Sequence, residues 1–276
     1  MSPSSDSSIS VLCRAKLTRA PFTTDRSEAI ASSSRTKPWS RTGIVPSGIT
    51  SGVTATEASV SGLYVGSSGW SYPTWRPEFY PPRTKPEDFL AYYAKRLPTV
   101  ELNTTGYRLP AEDQFSRWAD QTPPGFRFAP KMNAHRRVDV ATFSERVALL
   151  GDHLGPIRLL VGSALDQGLL TLLLGSFEPD ALLAFDFRHD SWDGVETKLP
   201  DNAVRVNSLD GDAAFRYLRL REPPYDDAAL AGWAERLRPL LDEGVRIYCY
   251  FKHEDEPTGP AYAERLAQAL TSSITS

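Results

Sequence analysis

Long apolar runs are missing from this chain. The longest, such as Leu169–Leu174 between Gly168 and Gly175, fall far short of the roughly 20 apolar residues that a membrane-spanning helix needs. Cysteine is nearly absent. Cys13 lies in a polar segment and Cys249 in a strand-like run, so no structural disulfide is expected, and the reading is a soluble protein of a reducing, cytoplasmic compartment. A basic excess is missing too: 31 Lys and Arg stand against 34 Asp and Glu. Up to Gly62 there are seven basic and four acidic residues, a charge of +3, which leaves −6 for the rest. A mildly acidic globule lacks the broad positive surface of a non-specific duplex binder, so any anion site must be local. The stretch Gly66-Ser67-Ser68-Gly69 matches neither a Walker loop nor a dinucleotide fingerprint. No G-x-S-x-G elbow surrounds Ser68.

What is present divides in two. Residues 1–62 are rich in Ser, Thr, Ala and Gly and hold two of the 29 aromatics, Phe22 and Trp39. Such a segment cannot bury enough apolar surface to offset its chain entropy, and a disordered tail is expected. Its acid-poor, Ser- and Arg-containing composition admits a transit peptide, a linker or translation from an upstream start. None of these carries chemistry.

From Leu63 onward, short β-prone runs end in polar residues, and most are followed by helix-like stretches. The runs are Leu63–Gly66, Thr99–Leu102, Phe126–Ala129, Ile157–Val161, Leu182–Asp186, Ala203–Val206, Phe215–Arg219 and Val245–Tyr250. Helical patterns cover Pro86–Arg96, with Pro86, Glu87 and Asp88 suited to a first turn, then Thr142–Leu150, Asp226–Leu241 and Ala261–Leu270. The expected architecture for 63–276 is an irregular TIM-type (β/α)8 barrel. The segment Asn207–Ala214 is too short for a normal helix, so the one between the sixth and seventh strands is expected to be missing. A seven-stranded barrel or an open sheet fits the same runs.

Barrel chemistry sits where strands end and loops begin. Those positions read "GSSGWSYPTWRPEFYP" from Gly66, "VELNTTGYRLP" from Val100, "FRFAPK" from Phe126, "AFDFRHDSW" from Ala184 and "YCYFKHED" from Tyr248. Together, and in this order, they resemble the YecE-like family (domain of unknown function 72), from about Tyr64 to about Leu270. The resemblance implies a TIM-type barrel and no defined reaction. Against the family pattern, this chain has Gly106 for Phe, Ala134 for Thr, Val161-Gly162-Ser163-Ala164 for a Gln-Leu-Pro-Pro stretch, and Asp186 for Glu. It has no histidine near Arg221, and Lys252-His253 stand where the pattern has Asn-Asn or Asn-Asp. These departures fall on the presumed rim and imply a divergent subgroup with altered substrate or weakened activity.

The candidate residues follow from position. Glu101 and Asn103 share a strand face at i and i+2 and read as an acid/base or ligand pair, or as a barrel-internal hydrogen-bond network. Asp186, Arg188 and His189 place a carboxylate, a fixed cation and an imidazole within four residues. Arg188 suits an anionic or carbonyl oxygen and His189 a proton shuttle, while the plain alternatives pair Arg188 with Asp186 or Glu101. Lys131 is expected to act electrostatically, and as a nucleophile only if desolvated. His135-Arg136-Arg137, Arg219, Arg221 and Lys252 add cations, and Tyr217 and Tyr250 stand beside them. Trp70, Tyr72, Trp75, Tyr107 and Trp192 are core or loop-packing residues, or stacking surfaces for a planar or sugar ligand. Trp70 leads among them because Gly69 permits a tight turn beside it. A metal held by Glu101, Asp186, His189 and His253 is not expected, since HxH, HExxH and paired-Cys spacings are absent.

The leading expectation is an enzyme (a hydrolase, lyase or isomerase) of a small anionic or polar substrate that is phosphorylated, carboxylated or sugar-like. Its catalytic residues would be Glu101, Asp186 and His189. Its binding residues would be Trp70, Asn103, Tyr107, Lys131, Arg188, Arg219, Tyr250 and Lys252. The sequence names no cofactor, metal, membrane partner or oligomeric state. The rival expectations are a barrel that binds or processes nucleic acid and a non-catalytic binding or scaffold barrel.

Overall fold

A computed structural model describes residues 60–134, 139–252 and 254–272. The expected tail, but for its last three residues, and the expectations for His135, Arg136, Arg137 and His253 lie outside the described residues. Eight strands form one sheet: β1 (Leu63–Ser67), β2 (Thr99–Leu102), β3 (Arg127–Asn133), β4 (Ile157–Val161), β5 (Leu183–Phe187), β6 (Ala203–Arg205), β7 (Phe215–Leu220) and β8 (Arg246–Phe251). All pairings are parallel, in the order β6-β5-β4-β3-β2-β1-β8-β7. The sheet curls into a nearly closed TIM-type barrel, as eight parallel strands with intervening helices do.

Between the strands lie α1 (Phe89–Tyr93), α2 (Glu112–Asp120), α3 (Val140–Ala148), α4 (Gln167–Gly175) and α5 (Asp227–Asp242), and α6 (Thr258–Ser272) follows β8. Their starts obey capping chemistry. Asp139, Asp166 and Asp226 accept the backbone N–H of Ala141, Leu169 and Ala229 at the heads of α3, α4 and α5. The pattern expected over Pro86–Arg96 splits into a 3-10 turn, Pro86–Asp88, and a short α1. None of the described helices is long and apolar enough to cross a membrane.

Side chains alternate between two environments along each strand. Outward residues such as Val65, Val100, Phe128, Leu159, Phe185, Leu218 and Cys249 pack under the helices. Inward residues Ala129, Ala184, Val204, Phe215, Tyr217, Tyr248 and Tyr250 fill the barrel. At its N-terminal end Tyr64 stacks on Tyr248, with ring centroids 4.6 Å apart, and Phe215 meets Tyr248 edge-on. Higher up, Tyr217 packs on Tyr250, whose hydroxyl hydrogen-bonds Thr99 Oγ1 at 2.9 Å. An aromatic plug therefore lies beneath the C-terminal mouth.

Two irregularities bear on the site. β3 pairs with β2 through Arg127–Pro130 and with β4 through Lys131–Asn133. It changes partner at Pro130, which has no N–H for a ladder. Lys131, expected just beyond the strand, is therefore held within it. The second irregularity is at β6 and β7, the two ends of the strand order. No α-helix joins them, as expected, and Asn207 spans the gap. Its N–H donates to Tyr217 O at 2.9 Å and its Oδ1 accepts the Arg219 N–H at 2.7 Å. With φ at 67°, Asn207 adopts the left-handed conformation that Asn tolerates better than most residues. Where a helix would cover β7, buried Arg216 donates instead to the carbonyls of Leu209, Gly211, Ala213 and Phe215. The β5–β6 connection is irregular as well and holds only the 3-10 turns Asp190–Trp192 and Val195–Lys198.

Candidate functional site

Ionisable side chains from β2, β3, β4, β5 and β7 gather inside the barrel, near the strands' C-terminal ends except for Arg158, the second residue of β4. Glu101 on β2 is fully buried. Its Oε1 accepts from Tyr217 Oη at 2.7 Å and Arg219 Nε at 2.8 Å, and its Oε2 from Arg219 Nη2 at 2.8 Å. Arg158 Nη1, on β4, lies 3.5 Å from Oε1. Arg158 turns its other nitrogens to Asp186 on β5. Nε donates to Oδ2 at 2.9 Å, and Nη2 reaches the same oxygen. Arg188 grips Asp186 from above, with Nη2 at 2.9 Å from Oδ2 and Nε at 2.9 Å from Oδ1. One chain of charge thus runs Arg219–Glu101–Arg158–Asp186–Arg188. All but Arg188 are buried.

Glu101 and Asp186 are held within a ring of guanidinium groups. Burial alone would raise the pKa of Glu101. The charges of Arg219 and Arg158 and the hydrogen bonds from Arg219 and Tyr217 outweigh it, so the carboxyl titrates below its ordinary value. Burial, with Glu101 beside it, pushes Tyr217 well above the usual phenol value, and it remains a neutral donor. The two carboxylates face five cations, since Lys131 and Arg221 join Arg158, Arg188 and Arg219 in the mutual field. Of these, Lys131, Arg158 and Arg219 are buried and Arg188 and Arg221 exposed, so the buried part of the cluster holds one cation more than its two carboxylates. Arg158 Nη1 and Arg219 Nη1 are buried N–H groups without a hydrogen-bond partner, an unusual state for a buried donor.

Lys131 is 6 % exposed. Among the described residues no carboxylate forms an ion pair with it. Its Nζ stands over the Tyr107 ring, 4.6 Å from the centroid. Desolvation and the nearby Arg158 lower its pKa, and Tyr107 and Glu101 offset this only in part. Gly106 makes room for its stem: a Cβ there would lie 3.0–3.2 Å from the Lys131 methylenes.

Beside the charge chain opens a cleft of about 970 Å³, walled by Trp70, Tyr72, Tyr107 and Trp118 with Glu101 and Asn103 also lining it. Trp70 meets Trp118 edge-on at 5.5 Å. The chain turns at Gly69 with φ at 135°, where a Cβ would strike Tyr72 Oη at 2.7 Å. Asn103 does not extend the strand face. β2 ends at Leu102 and Asn103 begins a 3-10 turn, from which Nδ2 donates to Ser68 O at 2.9 Å. Asn103 thereby ties the loops after β1 and β2 together.

Three further candidates stand apart from the charge chain. His189 is exposed, and its Nδ1 accepts the Ser191 N–H at 3.1 Å, capping a 3-10 turn. Lys252 is half-buried and pairs with Glu254 at 2.7 Å. Tyr250 is buried in the aromatic plug. The trait missed in the sequence is Arg158, the hub between both carboxylates. Its signal was a single cation inside the otherwise apolar run Ile157–Val161. Among the described residues no three His, Cys, Asp or Glu side chains gather closely enough for a metal ion.

Comparison with known proteins agrees with the architecture. The model of a family described as "Protein of unknown function DUF72" matches residues 64–276. Two crystal structures of a DUF72 family protein from Enterococcus faecalis V583 superpose with TM-scores of 0.58 and 0.57 at 15% identity. They cover 78% of this chain and 98% and 96% of the chains compared. At that identity the likeness concerns fold alone. A curated relative, the UPF0759 protein YunF of Bacillus subtilis (strain 168), is 29% identical over 82 residues, and the match spans 28% of each protein. With the family model matched along nearly all of the eight-stranded barrel, the chain belongs to the DUF72 family of proteins of unknown function.

Proposed function

We propose that the barrel mouth binds a small organic anion and stabilises negative charge on it. The carboxylate or phosphate of the ligand would meet Arg158, Arg188, Arg219 and Lys131, and its body would occupy the cleft beside Trp70 and Tyr107. The observation that carries this reading is the cation excess over Glu101 and Asp186, together with the buried Nη1 of Arg219, which has no hydrogen-bond partner. Buried cations without enough counter-charge are costly, and an anion relieves that cost. Glu101 and Asp186 then hold guanidinium groups in place. A carboxylate with a lowered pKa and filled lone pairs is a poor general base at neutral pH. Fixed cations of this kind, at the end of a water-excluding barrel, suit developing negative charge on an enolate, phosphoryl or carboxyl oxygen. The apolar cleft walls favour a ligand with a ring or short carbon chain over a bare inorganic ion.

The test is thermal unfolding at low ionic strength with phosphate, sulfate, pyruvate and a sugar phosphate, each against chloride of equal ionic strength. Polyvalent and carboxylated anions are expected to raise the Tm. Arg188→Gln, which alters a half-exposed side chain, is expected to weaken that rise. If no anion outperforms chloride, or if Arg188→Gln leaves the rise unchanged, the reading fails.

A further inference from the structure

We propose that Lys131 forms an imine with the carbonyl carbon of a small anionic aldehyde or ketone, such as a 2-oxo acid or a sugar phosphate. This names the substrate class of the anion site and rests on that reading. Four observations lead to it. Lys131 projects inward from β3 near its C-terminal end, where barrel chemistry collects. No described carboxylate pairs with its ammonium, so nothing near it holds the proton on Nζ by direct ion pairing. The Tyr107 ring, 66% exposed, has its centroid 4.6 Å from Nζ and also lines the cleft. Gly106 leaves space along the lysine stem that any larger residue would take.

An amine held among guanidinium groups sheds its proton more readily than a solvated one, and burial acts in the same direction. That is the known route to a nucleophilic lysine. The same arginines attract the anionic end of a carbonyl substrate and leave its carbonyl carbon to the neutral amine. In the step, the Nζ lone pair adds to the carbonyl carbon and the C=O π pair takes a proton, giving a carbinolamine. The nitrogen then gives up a proton, and the oxygen departs with two protons as water. The C=N bond that remains keeps the nitrogen's second proton and, as a protonated imine, withdraws electrons from the neighbouring carbon. Tyr107, whose ring stands 4.6 Å from Nζ, carries a hydroxyl able to pass those protons. No oxidant, metal or further reactant is consumed.

The experiment incubates the full chain with pyruvate or glyoxylate at neutral pH, adds sodium borohydride, and maps reduced adducts by peptide mass. An adduct on Lys131 is expected, forming at least about tenfold faster than on surface lysines and slowed by inorganic phosphate. Lys131→Arg is expected to abolish it. Since the adduct is mapped on the unaltered protein, a folding defect in the variant cannot mimic the result. Labelling spread evenly over many lysines, or absent from Lys131, overturns the imine. If phosphate still raises the Tm in that case, the anion site stands without it. If phosphate does nothing either, both readings fall.

Discussion

Replacing Glu101 by glutamine keeps the shape of the side chain and removes the charge that Arg219 and Arg158 share. Breaking one partner out of a buried ion pair costs about 3–5 kcal/mol, so Glu101→Gln is expected to lose about that much in urea unfolding at pH 7. The pH dependence has a definite sign. The folded pKa of Glu101 lies below its ordinary value of 4.5, so the unfolded chain binds the proton more readily. The contribution is therefore complete above that value and is lost as pH falls through the lower, folded one. Unfolding midpoints taken across the acid range should fall steeply for the native protein and more gently for Glu101→Gln. Equal slopes would show that the pair does not govern acid stability. At this scale much was readable. Glu101, Asp186, Arg188, Arg219 and Lys131 all follow from reading strand ends, and they meet. Arg158 did not follow, because a cation within an apolar run reads as a surface interruption until the facing strands are known. The capping contact of His189 was also hidden, since it depends on the φ and ψ of a turn.

Among the elements, all eight strands were legible from short β-prone runs bounded by polar residues. The ends moved by a residue or two, and β3 extended further, from Ala129 to Asn133. The expected run ended at Ala129, yet the strand passes through Pro130, and its two halves pair with different neighbours. α2 and α4 were not read as helices. The stripe of α2 carries few apolar residues, and α4 reads as a plain leucine run between glycines. The missing helix after β6 was legible from length alone, but its replacement was not. Asn207 takes over hydrogen bonds that a ladder would supply. Asn207→Ala leaves the Arg219 N–H without its acceptor, at an expected cost of about 1–3 kcal/mol. Amide exchange at Arg219 should accelerate in that variant, along with weaker anion binding. Unchanged exchange there would show that Asn207 is not the link.

For the barrel as a whole, closure is uneven. β1 and β8 pair over five consecutive positions, whereas β6 has three residues and no named ladder to β7. Local opening free energies track such differences. Native-state hydrogen exchange should therefore find the amides of β6 and of 207–214 opening well below the global unfolding free energy, with β1 and β8 near it. Uniform protection around the ring would contradict this. The cation-bearing side chains of β7 lie next to this weaker seam, so ligand binding across Arg219 and Arg158 should slow exchange on both sides of it.

The stacked tyrosines at the bottom of the barrel have an electrical consequence. They are poorly polarisable compared with water, so the surplus charge above them cannot be screened from below. Field lines must leave by the open end, and a passing anion meets them there, concentrated into one cone instead of spread over a convex surface. On the proposed reading, this is how a globule acidic overall would draw in acids through a single doorway.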